Sequence, residues 1–177
     1  MENEIKKQST NIGLYLGGAL LMIATSVYLI DYSLYLNPIK SVIVSLIIII
    51  AAIYSILLTK NINAGTVSFT EAFKSYFITV SIGYIIYSIW IFVIYSLIDS
   101  EAAKTIDEQA MIMSKEMLEN FGLSSEMIAI SMDEMSKTSN FSLSSIATNF
   151  CIKIIGYSFV GLIVSLIFFL LYPTKKD

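Results

Sequence analysis

The chain contains neither histidine nor arginine, and it has one cysteine and two prolines in 177 residues. Without histidine it lacks the commonest general base and the commonest metal ligand of proteins. Without arginine it cannot bind phosphate through a planar, two-point fork, and its single thiol, Cys151, excludes an internal disulfide. The net charge of −3 offers no basic surface to nucleic acid. These absences predict a non-enzymatic protein with no catalytic residue, no metal site and no cofactor.

Long uncharged hydrophobic runs occupy most of the remaining sequence. Hydrophobic residues make up 56% of the chain, and its mean hydropathy is +0.75. Four windows without any charge approach or exceed the roughly 20 helical residues that cross a bilayer core. A soluble fold of this size cannot bury four such helices. The pattern therefore predicts an all-α integral membrane protein, a single membrane domain over 1–177, with transmembrane helices at about 11–30, 41–59, 75–98 and 154–172.

The lysines near the span ends predict the orientation. Lys6 and Lys7 precede the first window, which is too long for a signal peptide and is followed by no small-residue cleavage site, so we expect a retained span. With the N-terminus inside, the lysines on that side are packed into short segments close to the spans, where the positive-inside rule acts. We therefore expect a multi-pass protein of a bacterial inner membrane, with both termini cytoplasmic and the long loop periplasmic.

Small residues one helical turn apart mark two candidate packing faces. Gly13 and Gly17 form a GxxxG motif in the first span, and Gly161 and Ser165 form a weaker small-residue pair in the fourth. Such pairs let a neighbouring backbone approach closely, although single matches also arise by chance.

Ser68 and Glu71 stand three residues apart at the entry to the third span. This spacing is typical of a capping box, in which each side chain bonds the backbone N–H of the other residue. A carboxylate beside a membrane could instead carry protons. The cap explains both residues without a transport function, so we predict the cap.

An acidic loop at about 99–145 connects the third and fourth spans, with nine acidic residues and three lysines. Its apolar residues recur every three or four positions, which is typical of one face of a helix. Gly122 suits a helix C-terminus and Ser124 an N-cap, so the loop is predicted to form an extramembrane amphipathic helical hairpin. We expect its apolar face to bury itself or to lie on the span ends; the residues of this face are Ile106, Met113, Met117, Phe121, Ile128, Met132 and Met135.

The methionines of this loop allow three interpretations. Thioethers favour Cu(I), but the loop offers no histidine and no second type of soft ligand. Methionine also fills irregular apolar seams and lines grooves that bind partners or lipids. We favour packing, followed by a partner or lipid groove, over copper.

The sequence also resembles a known family. The stretches "VSFTEAFKSYFITVSIGYIIYSIWIFVIYSLIDSE", "FGLSSEMI" and "IIGYSFVGLIVSLIFFLL", with the lysine-rich end, resemble the small four-span proteins of domain-of-unknown-function family 4199, typical of Bacteroidetes-type bacteria. The resemblance implies a bundle of four spans with an extramembrane hairpin before the last one. It implies no activity and no catalytic residues.

Two classes of function follow from these observations. The first is an uncharacterised inner-membrane accessory or structural component without enzymatic activity, because no span carries a charge at mid-depth. The alternative is a small transporter or channel-like protein without proton-coupling carboxylates, since coupled pathways use charged residues within the membrane. The expected partners are the lipid bilayer and either a second copy of the chain or another membrane protein, with no nucleic acid.

Overall fold

The fold is known from a computed structural model that describes residues 2–172, and these residues form helices and turns without any strand. A turn of 3-10 helix at Tyr32–Leu36 follows the first helix, and a π-helical turn at Val93–Ile98 continues the third. The α-helices are α1 (Glu2–Asp31), α2 (Pro38–Ile62), α3 (Phe69–Phe92), α4 (Ser100–Asn120), α5 (Ser125–Ser136) and α6 (Leu143–Leu171).

Four helical segments of this structure are long and apolar enough to cross a membrane. They are Glu2–Leu36, Pro38–Ile62, Phe69–Ile98 and Leu143–Leu171. Each contains a predicted uncharged window, apart from Tyr172, which lies just beyond the last helix. The helices extend further than the windows because their polar ends remain helical outside the uncharged core. α6, for example, begins where the Ser142 hydroxyl accepts a hydrogen bond from the Ser145 N–H.

Local chemistry explains where α2 and α3 begin. Pro38 occupies the first turn of α2, and the Asn37 side chain accepts the Ile39 N–H at 2.8 Å. At the start of α3, the Ser68 N–H donates to Glu71 Oε2 at 3.0 Å and the Glu71 N–H donates to Ser68 Oγ at 3.3 Å. The Ser68–Glu71 capping box is thus present, and it occupies the carboxylate of Glu71 at the helix end.

α3 lies at the centre of the bundle, where it contacts α1, α2 and α6. Its contact with α1 depends on glycine. A Cβ atom on Gly13 would lie 2.8 Å from Ile82 Cβ, and one on Gly17 would lie 2.6 Å from Ile86 Cδ1. The GxxxG face of α1 therefore meets α3 at a distance that leaves no room for a larger side chain.

The predicted pair on α6 also faces α3. A Cβ atom on Gly161 would lie 2.6 Å from Tyr76 Cδ1, so the tyrosine ring packs against the bare glycine backbone. Ser165, one turn further along, is fully buried. α6 therefore packs through one narrow face, while large side chains on its other faces, such as Phe159 and Ile163, are exposed.

α4 and α5 contact each other and form a helical hairpin between α3 and α6. Gly122 in the connecting turn has φ +74°, a conformation that glycine adopts without steric cost. Ser124 then caps α5 by accepting the Met127 N–H at 3.3 Å.

The apolar face of the hairpin differs from the sequence prediction at its outer end. Ile106 is fully buried and Ile128 is 8% exposed, whereas Met113, Met117 and Phe121 are 51%, 54% and 74% exposed. Met132 is half-buried and Met135 is 38% exposed. The expectation that these residues bury one another is therefore wrong for Met113, Met117 and Phe121.

The reason is that one apolar stripe of α4 cannot pack against both the core of the bundle and α5. At the inner end of α4, Ala103 and Ile106 belong to the core of the bundle. Further out, Met111 of α4 and Met135 of α5 line one cavity, and Met111 lies on a different face of α4 from Ile106. The stripe that starts at Ile106 is therefore left uncovered by residues 2–172 at Met113, Met117 and Phe121.

Candidate functional site

Five buried hydroxyl side chains meet between α1, α2 and α3. We call them the hydroxyl cluster; all are fully buried, and they are Ser9, Ser55, Thr59, Ser75 and Thr79. Within α2 and α3 the members are one turn apart, which places each pair on one face of its helix.

Ser75 is the centre of the hydroxyl cluster. Its Oγ accepts hydrogen bonds from Ser9 Oγ at 2.9 Å and from Thr59 Oγ1 at 2.9 Å, and it shares a hydrogen bond of 2.7 Å with Ser55 Oγ. Thr79 Oγ1 donates to Ser55 Oγ at 2.9 Å. These bonds link three helices through neutral groups that satisfy one another, which is an arrangement suited to holding helices together inside a membrane.

A second polar contact lies at the opposite end of the bundle, where α4 begins. The Tyr28 hydroxyl donates to Asp99 Oδ2 at 2.9 Å, and the Ala102 N–H donates to Asp99 Oδ1 at 2.9 Å. Hydrogen bonds from the Ala102 N–H and then from Tyr28 hold the pKa of the Asp99 carboxyl below its usual range. Asp99 thus remains ionised while it ties the start of the hairpin to α1.

An aromatic cluster fixes the other side of the hairpin. The ring centroids of Tyr95 and Phe141 are 4.5 Å apart, and Tyr35 lies 5.4 Å from Tyr95 and 5.2 Å from Phe141. The Ser96 hydroxyl donates to the Phe141 carbonyl at 2.5 Å. Phe141 follows α5, so both ends of the hairpin are joined to the spans.

Next to this cluster, α2, α3 and α6 enclose a cavity of about 280 Å³, which we call the tyrosine–lysine cleft. The helices contribute two lysines, three tyrosines and two serines, and the turn before α2 adds a fourth tyrosine. The lining residues are Tyr35, Leu36, Lys40, Ser41, Val44, Ser45, Tyr84, Tyr87, Lys153 and Tyr157.

The two lysines of the cleft have no acidic partner within residues 2–172. Lys40 Nζ donates to the Tyr35 carbonyl at 3.1 Å and lies 4.1 Å from the centroid of the Tyr35 ring. Lys153 forms neither a hydrogen bond nor an ion pair with any residue in the range 2–172. Among the described residues neither Asp nor Glu lines the cleft, so the side chains that line it carry a positive charge.

Tyrosine rings form the inner wall of the cleft. Tyr157 donates to Ser45 Oγ at 3.1 Å and thereby bridges α6 and α2. Tyr84 lies against Tyr157, Tyr87 and Phe150, with centroids 5.9, 5.7 and 5.9 Å away. These ring contacts join Tyr84 of α3 to Tyr157 and Phe150 of α6 along the wall of the cleft.

The residues singled out from the sequence do not form one site. Ser68 and Glu71 lie beside a cavity of about 520 Å³ at the start of α3, with the exposed ion pair of Lys74 and Glu2 at 3.0 Å. Gly13, Gly17 and Gly161 serve helix packing, and the residues of the hairpin's apolar face lie outside both the hydroxyl cluster and the cleft. Among residues 2–172, no three His, Cys, Asp or Glu side chains are grouped to hold a metal ion.

Sequence reasoning missed the hydroxyl cluster and the cleft. For the cluster a signal existed, since Ser55 and Thr59, and Ser75 and Thr79, are spaced one turn apart inside otherwise apolar spans. For the cleft no such signal existed. Lys40 and Lys153 are distant in sequence, and each alone is typical of a lysine at a membrane interface.

Comparison with known proteins identifies the family of the chain but no function. Residues 11–170 match the model of a family described as "Protein of unknown function (DUF4199)". No curated protein and no solved structure matches the chain. The match extends from the first candidate span to the fourth and includes the hairpin. The chain therefore belongs to the DUF4199 family.

Proposed function

We propose that the protein is a non-enzymatic accessory or structural component of a bacterial inner membrane. The observation that supports this most directly is the hydroxyl cluster, whose polar groups bond to one another and tie three helices together. Polar groups that line a transport pathway have to be free to bind a solute or water instead. The family match is compatible with this role, but the description of the family names no function.

The proposed orientation places both termini in the cytoplasm and the α4–α5 hairpin in the periplasm, outside the bilayer. α4 carries charged residues along its length, including Glu101, Lys104 and Glu116, which would be costly within lipid. The lysines that flank the spans at the other end of the bundle, where α1 begins and α6 ends, favour a cytoplasmic location for that end.

Reporter fusions test this orientation. Alkaline phosphatase is active only in the periplasm, so a fusion after Ser136 in the hairpin should be active and a fusion after Lys176 should be inactive. A cytoplasmic reporter at the same two positions is the matched control and should give the reverse pattern. Two active or two inactive phosphatase fusions would mean that the last span does not cross the membrane, which contradicts the four-span architecture. An inactive fusion after Ser136 with an active one after Lys176 would overturn the orientation and leave four spans intact.

Solute flux separates the proposed role from that of a transporter or channel. We expect liposomes that contain the purified protein to swell in glycerol, and to lose potassium, at the rate of protein-free liposomes. The physical reason is that the five hydroxyls of the hydroxyl cluster bond to one another between α1, α2 and α3 and so offer no polar path to a solute there. A porin reconstituted in parallel is the positive control. A protein-dependent flux that saturates with solute concentration would replace the accessory role with transport.

A further inference from the structure

We propose that the tyrosine–lysine cleft binds the phosphate group of an anionic phospholipid, with Lys40 and Lys153 as its charge partners. This inference goes beyond the accessory role, since it names a ligand class and a site, and it does not depend on the outcome of the flux experiment.

Charge is the first argument for an anionic ligand. Lys40 is half-buried and donates only to a backbone carbonyl, while Lys153 of α6 lines the same cavity without any partner in the range 2–172. Two ammonium groups that share a cavity repel each other. Lys40 is in addition half-buried and thus partly dehydrated, whereas Lys153 is exposed. A phosphate between them would pair with both.

Hydrogen-bond donors are the second argument. Tyr84 and Tyr87 line the cleft, and within residues 2–172 their hydroxyls make no hydrogen bond. Tyr84 and Tyr87 are each 9% exposed, but their hydroxyl oxygens are not fully enclosed, so both hydroxyls can donate to a ligand oxygen in the cleft. Tyr157 differs from them because its hydroxyl is already bonded to Ser45. The cleft thus offers two cations and two free phenol groups, which suits the several acceptor oxygens of a phosphate.

The position of the cleft favours a phospholipid over a free phosphate ion. Lys40 lies in the first turn of α2, and Lys153 directly precedes the uncharged part of α6, so both lie at the level where headgroups meet the hydrocarbon core. Residues close to the two lysines in the sequence expose apolar side chains: Val42 is 58% exposed and Ile152 is 60% exposed. Acyl chains can cover these side chains, whereas an inorganic ion cannot.

The test measures lipid retention by the full-length protein. The delipidated protein in neutral detergent is titrated with phosphatidylglycerol, and bound lipid is counted by native mass spectrometry. Loss of both charges in a Lys40→Gln/Lys153→Gln variant should weaken phosphatidylglycerol binding about thirtyfold, since each lysine near an anionic surface contributes a factor of about five. Lys104→Gln removes an exposed charge of α4 outside the cleft and should leave binding unchanged.

Three further arms make the result decisive. Lys40→Arg/Lys153→Arg keeps both charges and should retain binding, which separates loss of charge from loss of fold. Phosphatidylcholine, which carries no net charge, should bind weakly and equally to all variants. Inorganic phosphate at millimolar concentration should not displace phosphatidylglycerol. Equal phosphatidylglycerol binding by the wild type and the Gln/Gln variant would overturn the site, and displacement by inorganic phosphate would overturn its assignment to a lipid.

Discussion

Replacing Gly17 with leucine should separate α1 from α3 and unfold most of the protein in mild detergent. Even a single methyl group at this position would lie 2.6 Å from Ile86 Cδ1 and 2.9 Å from Ile86 Cβ. Ile86 is β-branched and cannot turn its Cβ away without moving the helix. Overpacking of this kind costs about 1–3 kcal/mol for small insertions and more for a whole side chain. The fraction folded can be followed by circular dichroism during titration with a denaturing detergent.

Gly18 provides the matched control for this prediction. It is the next residue of the same helix, and no atom lies within 4 Å of the position that its Cβ would occupy. Gly18→Leu should therefore unfold at the same detergent concentration as the wild type, or at a higher one, since leucine favours helix over glycine by somewhat less than about 1 kcal/mol. Equal stability of the Gly17→Leu and Gly18→Leu variants would show that α1 and α3 are not packed through Gly17.

These two glycines also show how far the sequence predicts the bundle. The charge-free windows located all four long helices, because the hydrophobic length needed to cross a bilayer is a property of each segment alone. The GxxxG spacing indicated a packing face at Gly13 and Gly17 but not its partner. Ile82 and Ile86 are two of many isoleucines in the chain, so nothing in the sequence distinguishes them as the surface that meets the glycines.

The cleft was beyond prediction for a similar reason. Its charge depends on Lys40 and Lys153 lining one cavity, and the two belong to helices that touch each other little except through the bond between Tyr157 and Ser45. Sequence patterns describe the faces of single helices. They do not determine which faces of α2, α3 and α6 lie around one cavity. Lys40 and Lys153 form a candidate anion site only because these faces bring them to the same cavity.

The hairpin was predicted in outline and mispredicted in packing. A periodic apolar stripe with a Gly122–Ser124 turn is a local signal, and the two helices follow it. What covers each part of the stripe is not local. Ile106 lies against the core of the bundle, whereas Met117, three turns further along the same face, is 54% exposed. An exposed apolar stripe of this kind often marks an interaction surface.

Because Ile106 is buried and Met117 is exposed, we expect the second large effect from a charge introduced at Ile106. Ile106→Asp places a carboxylate at a fully buried position among Ala103 and other hydrophobic core residues. An uncompensated buried charge costs about 3–5 kcal/mol. We expect this cost to exceed the free energy with which the start of α4 packs against the spans. We therefore expect α4 and α5 to detach from the spans and to be cut by trypsin at Lys104 or Lys115, while the four long helices remain protected by detergent.

Met117→Asp is the matched substitution on the same face of the same helix. Because the side chain is already 54% exposed, the carboxylate stays hydrated, and the free energy of unfolding should change by no more than about 0.5 kcal/mol. The rate of tryptic cleavage should equal that of the wild type. If Met117→Asp instead releases the hairpin as fast as Ile106→Asp, then the outer stripe is covered in the membrane-embedded protein, and its methionines belong to a contact between molecules rather than to an exposed end of the fold.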